Sequence, residues 1–128
     1  MRVALRPTVE ADLAACIAEP LPNRIQTMTA YVPDTGEILG LGGLSYKPDG
    51  EVWAFAQILP TGRRYPAAVH RAGVAVMAMI RRTRVGIVFA TASPSIPGAD
   101  RWLLRLGFTP EVGGLYVWRR NPENSHVE

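Results

Sequence analysis

The stretch "VWAFAQILPTGRRYPAAVHRAGVAVMAMIRRTRVGIVFAT", residues 52–91, decides how this chain folds. Over residues 51–59, Val52, Ala54, Ala56 and Ile58 alternate with Trp53, Phe55 and Gln57, and both sets are mostly apolar. Such a run reads as a strand covered on both faces, at the centre of a sheet. A loop, Pro60-Thr61-Gly62-Arg63-Arg64, follows. Residues 66–82 then carry Val69, Gly73, Val76, Met77 and Ile80 on one helical stripe. Pro66 suits the first turn of that helix, where the amide it lacks has no intrahelical acceptor. Residues 85–91 form a second continuous apolar strand. A strand, a crossover helix and another buried strand make a β-α-β unit with parallel strands.

Outward from this unit the elements are shorter. Residues 2–6 alternate loosely up to Pro7; Thr8 is placed to cap a helix running to about Glu19, which Pro20 and Pro22 stop. Residues 24–32 and 37–46 read as a hairpin around the turn Asp34-Thr35-Gly36, and Gly40, Gly42 and Gly43 predict a bulge or a close backbone neighbour. Lys47-Pro48-Asp49-Gly50 has the chemistry of a turn. After the loop 93–98, residues 99–106 form a short helix closed by Gly107, followed by terminal strands around Gly113-Gly114 and a frayed tail, 121–128.

At 128 residues the chain is the size of one domain, expected over 1–120. Charged residues are 20% and hydrophobic residues 48%, ordinary globular usage. The lone Cys16 excludes an internal disulfide and a zinc-finger ligand set, and suits a buried small hydrophobe in a reducing compartment. No apolar run is long enough for a membrane helix, so the cytoplasm is the default expectation and no membrane partner is expected. The net charge of +3 is unevenly spread: no acidic residue occurs between Glu51 and Asp100, where Arg63, Arg64, Arg71, Arg81, Arg82 and Arg84 all fall. The stretch reads either as a solvated basic face or as an anion site near Arg63 and Arg64.

A loop entering a helix N-terminus presents free backbone amides and the positive end of the helix dipole, and so suits phosphate. Walker A and Gly-x-Gly-x-x-Gly patterns are both absent. The order of elements around the junction nevertheless resembles the GNAT superfamily of N-acetyltransferases over about residues 2–119. "LRPTVEADLAAC" is similar to the opening strand and first helix, "VWAFAQILPTGRRYPAA" to the fourth strand and acetyl-CoA loop (consensus Gln/Arg-x-x-Gly-x-Gly/Ala), and "ADRWLLRLGF" to the helix before the Gly-Phe of the sixth strand.

The resemblance implies an α+β, three-layer fold with a mixed, mostly antiparallel sheet, a parallel pair formed by the fourth and fifth strands, and flanking helices. It implies acetyl-CoA as co-substrate. Arg63, Pro66 and Ala68 fall on the consensus slots, so that residues 63–68 (Arg63, Arg64, Tyr65, Pro66, Ala67 and Ala68) would cradle the pyrophosphate. Ile58 and Leu59 would offer backbone groups to the pantetheine arm, Pro60 would help splay the strand from its neighbour, and Ser95 lies near a cofactor-contacting Asn of the family. Two departures stand out. Pro66 replaces the central Gly and removes a donor, a loss of roughly ten- to hundredfold in affinity if uncompensated. Leu103 stands where the family often has a Tyr general acid.

The implied reaction is direct attack of a primary amine on the thioester, so Cys16 is not needed as a nucleophile. Glu51 is the best carboxylate to take the amine's proton, and also fits a polar residue marking a strand end. Tyr116 is the nearest replacement acid, and His70 reads as a surface or half-buried residue. The alternative function is a catalytically degenerate GNAT-fold binding or structural module. A nucleic-acid partner ranks last, since the aromatics are not interleaved with the arginines. A homodimer is expected by analogy only.

Overall fold

The computed structural model describes residues 2–17, 23–94 and 96–120. Ser95, Glu19, Pro20 and Pro22 and the expected tail lie outside them. The strands are β1 (Ala4–Pro7), β2 (Arg24–Tyr31), β3 (Ile38–Tyr46), β4 (Val52–Ile58), β5 (Ile87–Thr91), β6 (Thr109–Pro110) and β7 (Leu115–Arg119). They form one sheet in the order β1-β2-β3-β4-β5-β7-β6, antiparallel at every junction except β4–β5, which is parallel. The helices are α1 (Glu10–Cys16), α2 (Pro60–Arg63), α3 (Pro66–Arg82) and α4 (Ala99–Arg105). The α+β layout and the central place of β4 agree with the sequence, and α3 has the boundaries that its apolar stripe set.

The α3 stripe buries Met77 and Ile80 against Leu44, Val88, Ala90, Phe108 and Trp118. Full burial of such side chains stabilises by about 1.5–3 kcal/mol each. A second cluster of Ala30, Val32 and Leu39 packs with Tyr65 and Ala72 under the start of α3. β3 fits tightly between its neighbours because its glycines carry no Cβ. One at Gly40 would collide with Gln57 O, and one at Gly43 with Gln26 O. The register also shifts between Ala30 and Tyr31, leaving Leu39 as an extra residue on β3. Both the bulge and the close neighbour therefore occur.

Four expectations are corrected. Thr8 does not cap α1: Pro7 is still paired with Met28, so the chain stays extended to Val9, and Asp12 accepts the Val9 amide at 3.0 Å. The Thr8 hydroxyl instead meets that of Thr29 at 2.9 Å. α1 ends at Cys16 because Ile17 is already extended, before either proline. The sequence Pro60-Thr61-Gly62-Arg63 is a helical turn, not an open loop, with Gly62 and Arg63 amides donating to Leu59 O at 2.8 and 3.2 Å. Finally, β4 is not covered on both faces: its residues are half-buried and Gln57 is exposed. The seven-residue α1 lies over β2 and β3, on the face opposite α3, and stops short of β4.

Helix α4 ends in a Schellman motif, Phe108 N–H to Leu103 O at 3.0 Å and Gly107 N–H to Leu104 O at 3.1 Å. Gly107 has φ +103°, the conformation that the Leu-Gly-Phe ending predicts.

Two side-chain groups close the ends of the layers. Asp12, 1% exposed, accepts from Arg6 (2.6 Å), the Thr29 hydroxyl (3.0 Å) and the Val9 amide. Burial pushes its carboxyl up, but those hydrogen bonds and the Arg6 charge outweigh burial and hold it below the ordinary value of 3.8. At the other end Arg120 donates to Thr83 O at 2.7 Å, to Val85 O and Arg81 O at 3.3 Å and to Ile80 O at 3.5 Å, satisfying carbonyls at the α3 C-terminus.

A carboxyl held low in the folded state stabilises fully above its unfolded value, near pH 3.9, and loses that contribution as pH falls through the folded value. Asp12→Asn should therefore lower stability at pH 7 by about 1–3 kcal/mol and flatten the acid limb below pH ~4; urea midpoints measured from pH 7 to pH 3 check both. Arg120→Ala, which orphans the α3 carbonyls, should cost about 1–3 kcal/mol, read as a fall of roughly 4–12 °C in the thermal midpoint.

Candidate active-site channel

β4 and β5 begin as neighbours and then part. Trp53 and Phe89 are the one paired position between them, and their rings meet at 5.5 Å between centroids. From there to Ile58 on one strand and Thr91 on the other, no further pair forms. The divergence starts six residues before Pro60, so that proline ends the strand and does not cause the splay.

The direction of the freed backbone groups follows from the ladders. Lys47 N–H bonds Glu51 O and Leu59 N–H bonds Leu39 O, both at 2.9 Å, at the two ends of the β3–β4 register. In an antiparallel ladder hydrogen-bonded pairs alternate with non-bonded ones, so Trp53, Phe55 and Gln57 turn their backbone groups toward β3. Ala54, Ala56 and Ile58 turn theirs toward β5. Past the Trp53–Phe89 position, Ala56 and Ile58 therefore offer an amide and a carbonyl each to the open wedge.

The sequence alone points to Ile58 and not to Ala56, which the antiparallel alternation identifies. Leu59 leaves the set, because its amide is held by Leu39 and its carbonyl by the α2 turn.

The wedge opens into a narrow cavity of about 130 Å³ between the sheet and α3, bounded by Ala54, Ala56, Ile58, Thr91, Met77 and Leu103 among others. Next to it is a wider cleft of about 480 Å³ between the α2–α3 junction and α4. Ile58, Val69, Ile96 and Trp102 line both, so the two spaces form one channel. The cleft wall carries Arg63, Arg101, Arg105 and His70, and no acidic residue. The narrow part is lined mostly by apolar residues, with Thr91 and Ser93 among the few polar ones. Arg101 and Arg105 lie one helical turn apart on α4, and only the tertiary contact of α4 with α3 turns that spacing into a facing pair of cations for Arg63.

The α3 N-terminus opens at the same place. Pro66 occupies its first position, Val69 N–H reaches Tyr65 O at 3.0 Å, and no side chain caps the helix. The Ala67 and Ala68 amides thus have no partner among the described residues. Pro66 removes one donor of a possible three. Two others remain beside a partial positive charge.

Other expected contributors are placed elsewhere. Arg64 is not part of the cleft wall, since α2 turns it away from Arg63. Tyr65 packs against Ala30, Val32 and Leu39. Glu51 lies at the far end of β4, roughly 23 Å from Ile58 along the strand, where its carboxylate accepts the Trp53 indole N–H at 3.1 Å. Tyr116 packs beside the main core cluster and does not line the channel. Cys16 is half-buried, and burial, then the Asp12 charge, push its thiol up, away from nucleophilic use. No cluster of metal-ligating side chains exists among the described residues, and no described helix is long and apolar enough to cross a membrane.

No protein-family model and no curated protein matches the chain. Solved structures do. An acetyltransferase of the GNAT family from Staphylococcus aureus Mu50 superposes with a TM-score of 0.67 at 11% identity, covering 92% of this chain and 99% of the other. The aminoglycoside acetyltransferase AAC(6′)-Ib, in complex with coenzyme A and kanamycin, gives 0.65 at 15% identity over 99% and 100% of the two chains. Spermidine/spermine N-acetyltransferase SpeG from Vibrio cholerae gives 0.64 at 11% identity over 98% and 97%. With its parted β4–β5 pair, its helical N-terminus at the mouth of the wedge and these superpositions over nearly the full chain, the protein has the GNAT fold.

Proposed function

We propose that the protein is an acetyl-CoA-dependent N-acyltransferase. The observation that carries this reading is the channel: a wide, purely basic cleft continuing into a narrow apolar space that ends at unpaired backbone groups. A ligand suited to it has a polyanionic head and a thin, mostly apolar arm with a few amides, which describes a CoA thioester. The CoA-bound aminoglycoside acetyltransferase of the same fold supports the assignment.

Arg63, Arg101 and Arg105 hold the phosphates with charge-assisted hydrogen bonds, together with the Ala67 and Ala68 amides. Ala56 and Ile58 extend the sheet to the arm, replacing the missing β5 partner. The acetyl group then lies in the wedge. The amine approaches over the sheet face that α1 leaves open, bounded by Trp53, Phe55 and Phe89, all half-buried. Its lone pair attacks the thioester carbonyl carbon, the C–S bond breaks, and the CoA sulfur leaves as a thiolate. The proton released from nitrogen passes through water to Glu51 or to solvent. With Leu103 in the channel wall and Tyr116 outside it, water protonates the thiolate.

Calorimetric titration tests the reading. CoA and acetyl-CoA should bind saturably. Arg63→Ala should weaken CoA roughly 10- to 100-fold, while Arg64→Ala should stay within about threefold, since only Arg63 faces the cleft; equal effects would remove the cleft from the assignment. No binding of any CoA species to the unaltered protein would leave the degenerate, non-enzymatic module as the surviving reading.

With an acceptor found by screening amines against acetyl-CoA and thiol release, Glu51→Gln should lower kcat by about 10²-fold or more. An unchanged kcat would assign the proton to solvent. Tyr116→Phe should leave turnover within about twofold of the unaltered protein, since its ring packs in the core.

A further inference from the structure

Among the described residues three buried side-chain polar atoms have no hydrogen-bond partner: Arg6 Nε, His70 Nδ1 and Trp102 Nε1. Two of the three belong to residues of the cleft wall. Buried donors without acceptors are destabilising and native proteins keep few of them, so each one asks what it is for.

The Trp102 indole is the more constrained of the two. It sits directly on the backbone of α3 at Gly73, where a Cβ would come within 2.8 Å of Cζ2 and 3.2 Å of Nε1. Only glycine leaves room for the ring there. The ring is wedged between α3 and α4, and its N–H cannot swing out to bulk water. Trp102 is also one of the few residues that line both the basic cleft and the narrow cavity. Its ring therefore stands at the throat between them.

Whatever joins a phosphate head at Arg63, Arg101 and Arg105 to a thioester in the wedge must pass this throat. On the CoA reading given above, on which this inference rests, the connecting arm offers two secondary-amide carbonyls amid methylene and methyl groups. Those carbonyls are the acceptors that the unpartnered indole donor lacks. We infer that Trp102 positions the arm by donating its Nε1–H to an amide carbonyl of the pantetheine portion. The donor's missing partner is then supplied by the ligand.

Trp102→Phe keeps the ring and removes the donor. CoA and adenosine 3′,5′-bisphosphate, which has the head and no arm, are titrated into both proteins. The variant should bind CoA about 5- to 20-fold more weakly, the cost of one lost hydrogen bond, and bind the bisphosphate as before. Its ligand-free thermal midpoint should be unchanged or higher, since the deleted donor had no partner. Undiminished CoA affinity, or equal weakening of both ligands with a lowered midpoint, would overturn the inference in favour of simple packing. Failure of the unaltered protein to bind either ligand would instead overturn the CoA reading, and this inference with it. If the variant does not fold, the ¹⁵N-labelled protein decides: of its three indole N–H signals, one should move downfield with CoA and stay in place with the bisphosphate. Three unmoved signals would also overturn the inference.

Discussion

The structure turns on the failure of two parallel strands to stay paired. β4 is held on one side by β3 along its whole length, ending in the Leu59–Leu39 bond, and on the other by β5 at Trp53–Phe89 alone. Backbone groups that lose a partner inside a protein must find another or face a cavity that can hold one. The alternation of the β3–β4 ladder determines which groups these are, and past the Trp53–Phe89 position they belong to Ala56 and Ile58. Everything proposed about the channel depends on that parity.

The surrounding elements keep the wedge open. β3 takes the amide of Leu59 and the α2 turn takes its carbonyl, and α2 redirects the chain away from β5 into α3. Helix α4 closes the other side, held by its Schellman ending and by Phe108 in the core, and seats Trp102 on the glycine of α3. The absence of a side chain at Gly73 is what allows the two helices to approach this closely. Because the contact is between a ring and a bare backbone, the passage is narrow there and wide above, where arginines from both sides face an open cleft.

Charge and burial divide the molecule's ionisable groups by task. Asp12 is buried with three donors and fixes α1 to the sheet, and Arg120 closes the end of α3; both act on stability. The cleft arginines have no carboxylate beside them in its wall, so their charge remains available to a ligand. The open face of β4 and β5 follows from the shortness of α1, which covers only the far half of its side of the sheet. Two surfaces thus meet at the wedge, one suited to a polyanion and one accessible to a second substrate.

The sequence by itself determined the β-α-β unit, the span of α3, the bulged glycine strand and the Gly107 turn, because periodicity, proline and glycine are local constraints acting on neighbouring residues. It also pointed to the α3 N-terminus, through the loop-to-helix order and Arg63, as the place of the proposed anion site. Only the tertiary structure decided which backbone groups are free, since strand parity depends on a partner's register. Likewise it separated Arg63 from Arg64, moved Tyr65 and Tyr116 into packing, and brought Arg101, Arg105 and Trp102 to the cleft. Those three lie more than thirty residues from the loop, and nothing local in the sequence tells which side of α4 will meet α3; that is set by the fit of an indole against Gly73.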